Sequence, residues 1–312
     1  MKKLLRTIYT FKFFDDLVLI YPLYSVMFID FGMEAWQVSA LLLAWSLTSF
    51  ILEIPSGVWA DKYNRKYILI FGQVIRAAGY LCWLLFPTFY GFLLGFIFWG
   101  IKSALTSGTL QALVYDELKH YQQEKQFTKI WGRMQTLAFT AILLASFLAS
   151  PAILWGYPFV LVISAAAVCL SGLSIMTYSV KSPSFSKSNA PYFSVLKLGF
   201  QNAFKDRLVF RLILFMAIVI ALNGGLDEYW PIFAKEVGVP NYALGLVFGV
   251  MSIGEALGSY YAHYFEKKNI RFIYWLTLFN GLLLLLASWI YEWPSLILLL
   301  VFSVFFSVIL LV

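Results

Sequence analysis

The residues most able to do chemistry in this chain are charged side chains set among long apolar runs: Asp15, Asp16, Glu53, Arg76, Lys102, Asp227, Glu228 and Glu255. An ion in such surroundings is expensive, so it pairs with another group, faces a polar cavity, or serves a bound molecule or a proton. Glu53 and Arg76 fall at similar depth on either side of the charge-rich stretch GVWADKYNRKY, which predicts a structural ion pair; a substrate contact is the other reading. Lys102 lies about 13 residues, or roughly 20 Å of helical rise, from the outer end of its run. It either touches a substrate, snorkels, or pairs with an acid. In ALNGGLDEYWP, Gly224, Gly225 and Pro231 weaken a helix on both sides of Asp227 and Glu228, with Asn223 as a polar neighbour. Carboxylates there can meet cations or exchange protons; solvated headgroup positions are the alternative, favoured for Glu228. Asp15 and Asp16 stand close to one end of the first run, where one of them can be interfacial, and Tyr21 and Pro22 follow them.

Other chemistries find little support. The sequence has no phosphate-cradling loop, no nucleophile elbow and no stretch long enough for a separate enzymatic domain, so neither catalysis nor a cofactor is expected. Cys82 and Cys169 fall inside apolar runs and are read as small packing groups, although a disulfide is possible. His120 and His263 lack paired ligand spacing, so no metal is expected.

The elements that position these residues are spans. The 312 residues are 61% hydrophobic and 12% charged, against about 45–50% and about 25% in soluble domains. A soluble core cannot absorb that much apolar surface, whereas lipid can. The apolar blocks predict helices over 13–30, 36–60, 66–86, 90–114, 132–150 and 157–180, then 208–233, 241–264, 270–290 and 295 to the end. Runs such as ALLLAWSLTSFIL do not alternate, which argues against a β-barrel. Asp15 and Asp16 interrupt the first apolar stretch, which therefore does not read as a cleaved signal peptide. The reading is an all-α polytopic membrane protein with lipid as its solvent.

Most of the 23 basic residues gather in one set of loops: before helix 1, between helices 2 and 3, 4 and 5, 6 and 7, and 8 and 9. The opposite loops carry Lys235 with Asp30, Glu34, Glu236 and Glu292. The positive-inside rule then places the N-terminus in the cytoplasm. It also accounts for the +7 net charge without a nucleic-acid partner. The polar connector over 181–207, with KSPSFSKSNAP, divides a six-helix bundle at 1–180 from a C-terminal bundle at 208–312. Phe193, Leu196, Phe200 and Phe204 then predict a helix lying along the membrane surface or, alternatively, a soluble one. The two halves repeat. ILEIPSGVWADKYNRK laid over IGEALGSYYAHYFEKK matches Glu53 with Glu255, Ala60 with Ala262, Asp61 with His263, Arg65 with Lys267 and Lys66 with Lys268, and Gly32 falls against Gly238. Parallel repeats of this kind are a transporter architecture.

GVWADKYNRK resembles the signature loop of the major facilitator superfamily, roughly G-x-x-x-D-[RK]-x-G-[RK]-[RK]. Gly57, Asp61, Lys62, Arg65 and Lys66 match it, and Asn64 stands where glycine is usual. Asparagine tolerates a left-handed turn best after glycine, so this departure from the pattern is a mild one. SGTLQALVYDEL and FTKIWGR are similar to a bacterial branch that includes many drug exporters. The resemblance implies two pseudo-symmetric bundles and twelve helices, of which six plus at least four are read here; a piece lacking helices 11 and 12 is the expectation. It implies that helices 1, 4, 7 and 10 line a cavity, which makes Lys102, Tyr21, Asp16, Asn223, Asp227 and Glu228 candidates for substrate or coupling. Asp61, Lys62, Arg65 and Lys66 are then gate residues, with Arg65 and Lys62 able to hold Asp116 or Glu117. The implied function is secondary transport of a small organic molecule by a monomer in the cell membrane, with protons as coupling ion and export as the leading direction. Uptake of sugars or organic ions, or a non-transporting fragment, are the alternatives. LASFLASPAIL carries Pro151 without the glycines of the antiporter pattern.

Overall fold

A computed structural model gives the fold and describes residues 1–181, 207, 210, 211, 214, 225–265 and 270–311. The chain divides into two compact units, Met1–Ala145 with Ala152–Tyr192, and Ser146–Pro151 with Phe193–Val312. Among the described residues every regular element is a helix. The first stretch holds α1 (Lys2–Asp16), α2 (Tyr24–Asp30), α3 (Ala35–Lys62), α4 (Arg65–Leu85), α5 (Phe89–Thr106), α6 (Thr109–His120), α7 (Phe127–Ala152) and α8 (Tyr157–Met176). The second holds α9 (Trp230–Glu236), α10 (Asn241–Tyr261), α11 (Ile270–Ile290) and α12 (Ser295–Leu311). Asn223, the connector past Lys181 with its expected surface helix, most of the run 208–224, Lys267 and Lys268 lie outside the described residues.

Six of these stretches are long and apolar enough to cross a membrane: Ala35–Lys62, Arg65–Leu85, Phe89–His120, Glu124–Trp155, Tyr157–Met176 and Asn241–Tyr261. Their outer faces are greasy rather than polar. Leu43, Leu47, Phe50 and Ile51 on α3 are all exposed, Phe50 by 77%. Water would penalise such a face, and hydrocarbon does not.

Two expected spans of the first unit are broken. The run read as one helix over 13–30 stops at Asp16 and restarts at Tyr24. Pro22 has no N–H to donate, so the chain passes the gap in short turns. The groups this frees find partners on neighbouring helices: the Ile20 amide donates to Ser164 Oγ at 3.0 Å, and the Asp15 carbonyl accepts from Arg76 at 2.8 Å. The run read as 90–114 likewise divides at Ser107 and Gly108 into α5 and α6.

Packing in the first unit follows stripes on the helices. Leu4, Thr7, Ile8, Phe11 and Asp15 are the buried line of α1, and α1 rests on α8. Leu69, Gly72, Gln73, Arg76, Tyr80 and Trp83 belong to the buried line of α4, which packs on α5 and α8. At Gly95 a side chain would sit 2.0 Å from Trp83 Nε1, so glycine is what lets α5 close on α4. In the second unit Trp230, Met251, Leu283, Ala287, Leu299 and Phe302 form the core.

The same terminator recurs in both halves. Gly32 (φ 85°) and Gly238 (φ 98°) each adopt the left-handed conformation past a short helix. Gly32 N donates to Ile29 O and Met33 N to Phe28 O, while Gly238 N donates to Lys235 O and Val239 N to Ala234 O. Each set of bonds satisfies carbonyls that the helix end would otherwise orphan.

Candidate functional site

The centre of the site is Asp15, the last buried residue on the α1 stripe. The residue is 2% exposed, and its carboxylate serves three donors from two helices. Gln73 Nε2 donates to Oδ1 at 3.0 Å, and Arg76 Nη1 does so at 3.2 Å. Lys102 Nζ lies 2.8 Å from Oδ1 and donates to Oδ2 at 3.0 Å. Arg76 is held further by donating from Nε to the Tyr80 hydroxyl at 2.9 Å. Its guanidinium also rests over the Trp99 ring, 4.8 Å from the centroid, a favourable placement for a desolvated cation. Arg76, Lys102 and Gln73 are themselves buried.

One carboxylate thus answers two cations in a buried site. Arg76 grips the acid at both its carboxylate and its main-chain carbonyl, whereas Lys102 touches only the carboxylate. The site abuts an aromatic wall of Tyr24, Phe28, Trp83, Phe96 and Trp99, and Tyr21 meets this wall at Trp99 with ring centroids 6.3 Å apart.

Several expectations change here. The Glu53–Arg76 pair does not form, because α3 packs on α5 rather than along α4 and the α4 stripe turns Arg76 towards α1. Glu53 instead accepts from Ser107 Oγ at 2.8 Å and is exposed. Lys102 takes the buried-pair arrangement. Of the two adjacent acids Asp15, not Asp16, is central: Asp16 leaves the stripe and pairs with Lys12 at 2.9 Å. In the second unit the helix is interrupted at 228–229 beside the two acids. Asp227 accepts from the buried Trp230 indole at 2.9 Å, Glu228 lies in the interrupting turn, and Glu255 on α10 makes no ion pair among the described residues.

The signature stretch is shorter as a loop than its sequence suggests. Gly57 to Lys62 complete α3, and only Tyr63 and Asn64 separate it from α4. Asn64 is not left-handed: its φ is −65°, and its Oδ1 accepts from the Lys66 amide at 3.0 Å as the N-cap of α4. Arg65 donates to Asp116 on α6 and lies 3.8 Å from Asp61. Lys66 Nζ donates to the carbonyls of Met176 at 2.8 Å and Tyr178 at 2.6 Å, at the C-terminal end of α8 where a cation is favoured. The Tyr178 hydroxyl donates to Glu117 at 2.5 Å, and burial together with this carboxylate pushes its ionisation upward. Lys62 is exposed and forms no ion pair among the described residues.

Sequence reasoning missed Gln73, Tyr80, Trp99 and Ser164. The i, i+3, i+7 spacing of Gln73, Arg76 and Tyr80 was the available signal for two of them.

The family model described as Major Facilitator Superfamily matches residues 8–312, and the chain belongs to that superfamily. It is 22% identical over 264 residues to YxaM of Bacillus subtilis (strain 168), an uncharacterized MFS-type transporter; the match takes in 80% of this chain and 61% of YxaM. The chain therefore spans about three fifths of that relative's length. Among solved structures, the nucleoside transporter NupG superposes with a TM-score of 0.75 at 16% identity, over 99% of this chain and 79% of that one. A bacterial homolog of the human lysosomal transporter Spinster, inward-facing and unoccupied, gives 0.74 at 19%, over 99% and 72%. These likenesses are of fold. With its apolar spans and this family, the chain is a multi-pass membrane protein.

Proposed function

We propose that this chain carries a small organic molecule across the cell membrane by alternating access, coupled to protons, with export as the leading direction and its basic loops in the cytoplasm. The observation that carries the reading is Asp15 shared between Arg76 and Lys102 beside the break between α1 and α2. Because Arg76 holds the acid at two points, Lys102 can leave it without orphaning a buried carboxylate. The freed ammonium then meets a polar group of the substrate, with Tyr21 and the aromatic wall as its apolar side. Taking up or losing a proton changes the net charge of the cluster, and a low-dielectric interior makes that change costly enough to bias one conformation over another. Asp227 and Glu228, with Asn223, are the second-unit candidates for the same task. Asp61, Lys62, Arg65, Lys66 and Asp116 act as the latch.

Uptake is the second reading, favoured by the missing glycines around Pro151.

Reconstituted vesicles with an imposed pH gradient and a panel of amphipathic and sugar-like solutes test both directions. Transport should follow the gradient and fall at least tenfold in Asp15→Asn and Lys102→Ala, with a smaller loss in Asp227→Asn. Unchanged transport in the first two variants would sink the site.

A further inference from the structure

A polar cavity lies outside the Asp15 cluster, where the start of α1 meets the end of α8. It measures about 270 Å³ and is lined by Lys3, Arg6, Thr7, Thr10, Ser174 and Thr177. Two cations and four hydroxyls line it, with no carboxylate. Neither Lys3 nor Arg6 forms an ion pair among the described residues. Ser174 and Thr177 donate their hydroxyl protons to the carbonyls of Ser171 and Ser174, so the charged donors left to the space are the Lys3 ammonium and the Arg6 guanidinium. That donor set matches a phosphodiester: an arginine offers paired N–H groups to phosphate oxygens and a lysine adds a compact charge.

The face of α8 that supplies Ser174 and Thr177 continues into apolar surface. Leu170 and Leu173 precede them at helical spacing and are 46% and 54% exposed on a span read as membrane-crossing. A polar, cationic pocket at the end of an exposed aliphatic stripe has the shape of a lipid molecule, with its phosphate above and its acyl chains along the helix. The N-terminal location of Lys3 and Arg6 also puts the pocket among the basic loops, where anionic headgroups are attracted.

We infer that this pocket binds the phosphate headgroup of an anionic phospholipid, with Lys3 and Arg6 as its ligands and Leu170 and Leu173 carrying the acyl chain. The site is separate from the Asp15 cluster and stands whether or not the chain transports.

Binding of phosphatidylglycerol, phosphatidylcholine and inorganic phosphate to the purified 312-residue chain in neutral detergent, followed by native mass spectrometry, tests it. Phosphatidylglycerol should bind more tightly than phosphatidylcholine. Lys3→Gln/Arg6→Gln should weaken it about thirtyfold, from two surface cations near an anionic headgroup. Lys3→Arg/Arg6→Lys should keep it, and Lys125→Gln/Lys129→Gln, an equal loss of charge elsewhere, should leave it unchanged. Ser174→Ala/Thr177→Val keeps both cations and removes no free donor, so it should leave binding unchanged; the Lys3→Arg/Arg6→Lys variant separates a lost site from a misfolded chain. Equal binding of the two lipids, an unaltered Lys3→Gln/Arg6→Gln variant, or an equal loss in the Lys125/Lys129 control would overturn the inference. Inorganic phosphate binding as tightly as phosphatidylglycerol would overturn it too, since the acyl chain would then contribute nothing.

Discussion

Asp15 accepts from Gln73, Arg76 and Lys102 at once, and this sharing decides how each partner answers to substitution. Replacing the acid leaves two buried cations facing a neutral group, so Asp15→Asn should lower stability by about 3–5 kcal/mol. Adding Lys102→Met removes one orphaned cation and should return a substantial part of that loss. Thermal unfolding of the purified protein in detergent reads both; an Asp15→Asn variant as stable as the parent would contradict the burial described here. The sequence brought attention to the acids but not to which one mattered. Asp15 and Asp16 are a helical step apart, and only the line Leu4, Ile8, Phe11, Asp15 distinguishes them. Depth along a span is countable from residue numbers, whereas the direction a side chain faces around the helix depends on which neighbour it packs against. For that reason Glu53 and Arg76 matched in depth and still missed each other.

At the scale of elements, spans were legible because apolar length is a local property. The break after Asp16 was less so, since Pro22 alone does not say whether a helix kinks or stops. The turn between α3 and α4 shows the limit most clearly. Its charges were plain in the composition, but the link is shorter than the sequence suggests, and Asn64 caps α4 rather than taking the left-handed turn that asparagine tolerates. Asn64→Ala should therefore cost about 1 kcal/mol. Asn64→Gly, which restores the usual family residue, should gain nothing and cost a few tenths of a kcal/mol. Denaturation midpoints of the two variants check this; a glycine variant more stable than the parent would argue for the left-handed geometry after all.

Across the whole molecule, the glycines carry the repeat: Gly32 and Gly238 end their helices with the same pair of backbone bonds, while the second charged turn, with Lys267 and Lys268, lies outside the described residues. What no residue pattern announced was the tie running from α4 through α8 to α6, in which Lys66 caps α8 and Tyr178 donates to Glu117. Tyr178 lies past the end of α8, and burial first and Glu117 second raise its ionisation above the usual tyrosine value. The folded state therefore holds this proton more tightly than the unfolded chain does. The stability it contributes is complete below about pH 10 and declines as pH rises beyond that. Melting temperatures taken at neutral and strongly alkaline pH should show a steeper alkaline fall for the parent than for Tyr178→Phe. Parallel falls would remove Tyr178 from the account.

The two-residue link at Tyr63 and Asn64 has a mechanical consequence. With so little slack, and with Arg65 fastened to α6 and Lys66 to the end of α8, α3 and α4 cannot be displaced at this end separately. Force applied to either is delivered to four helices together, so this corner of the first unit turns as a stiff crank rather than as a set of independent rods.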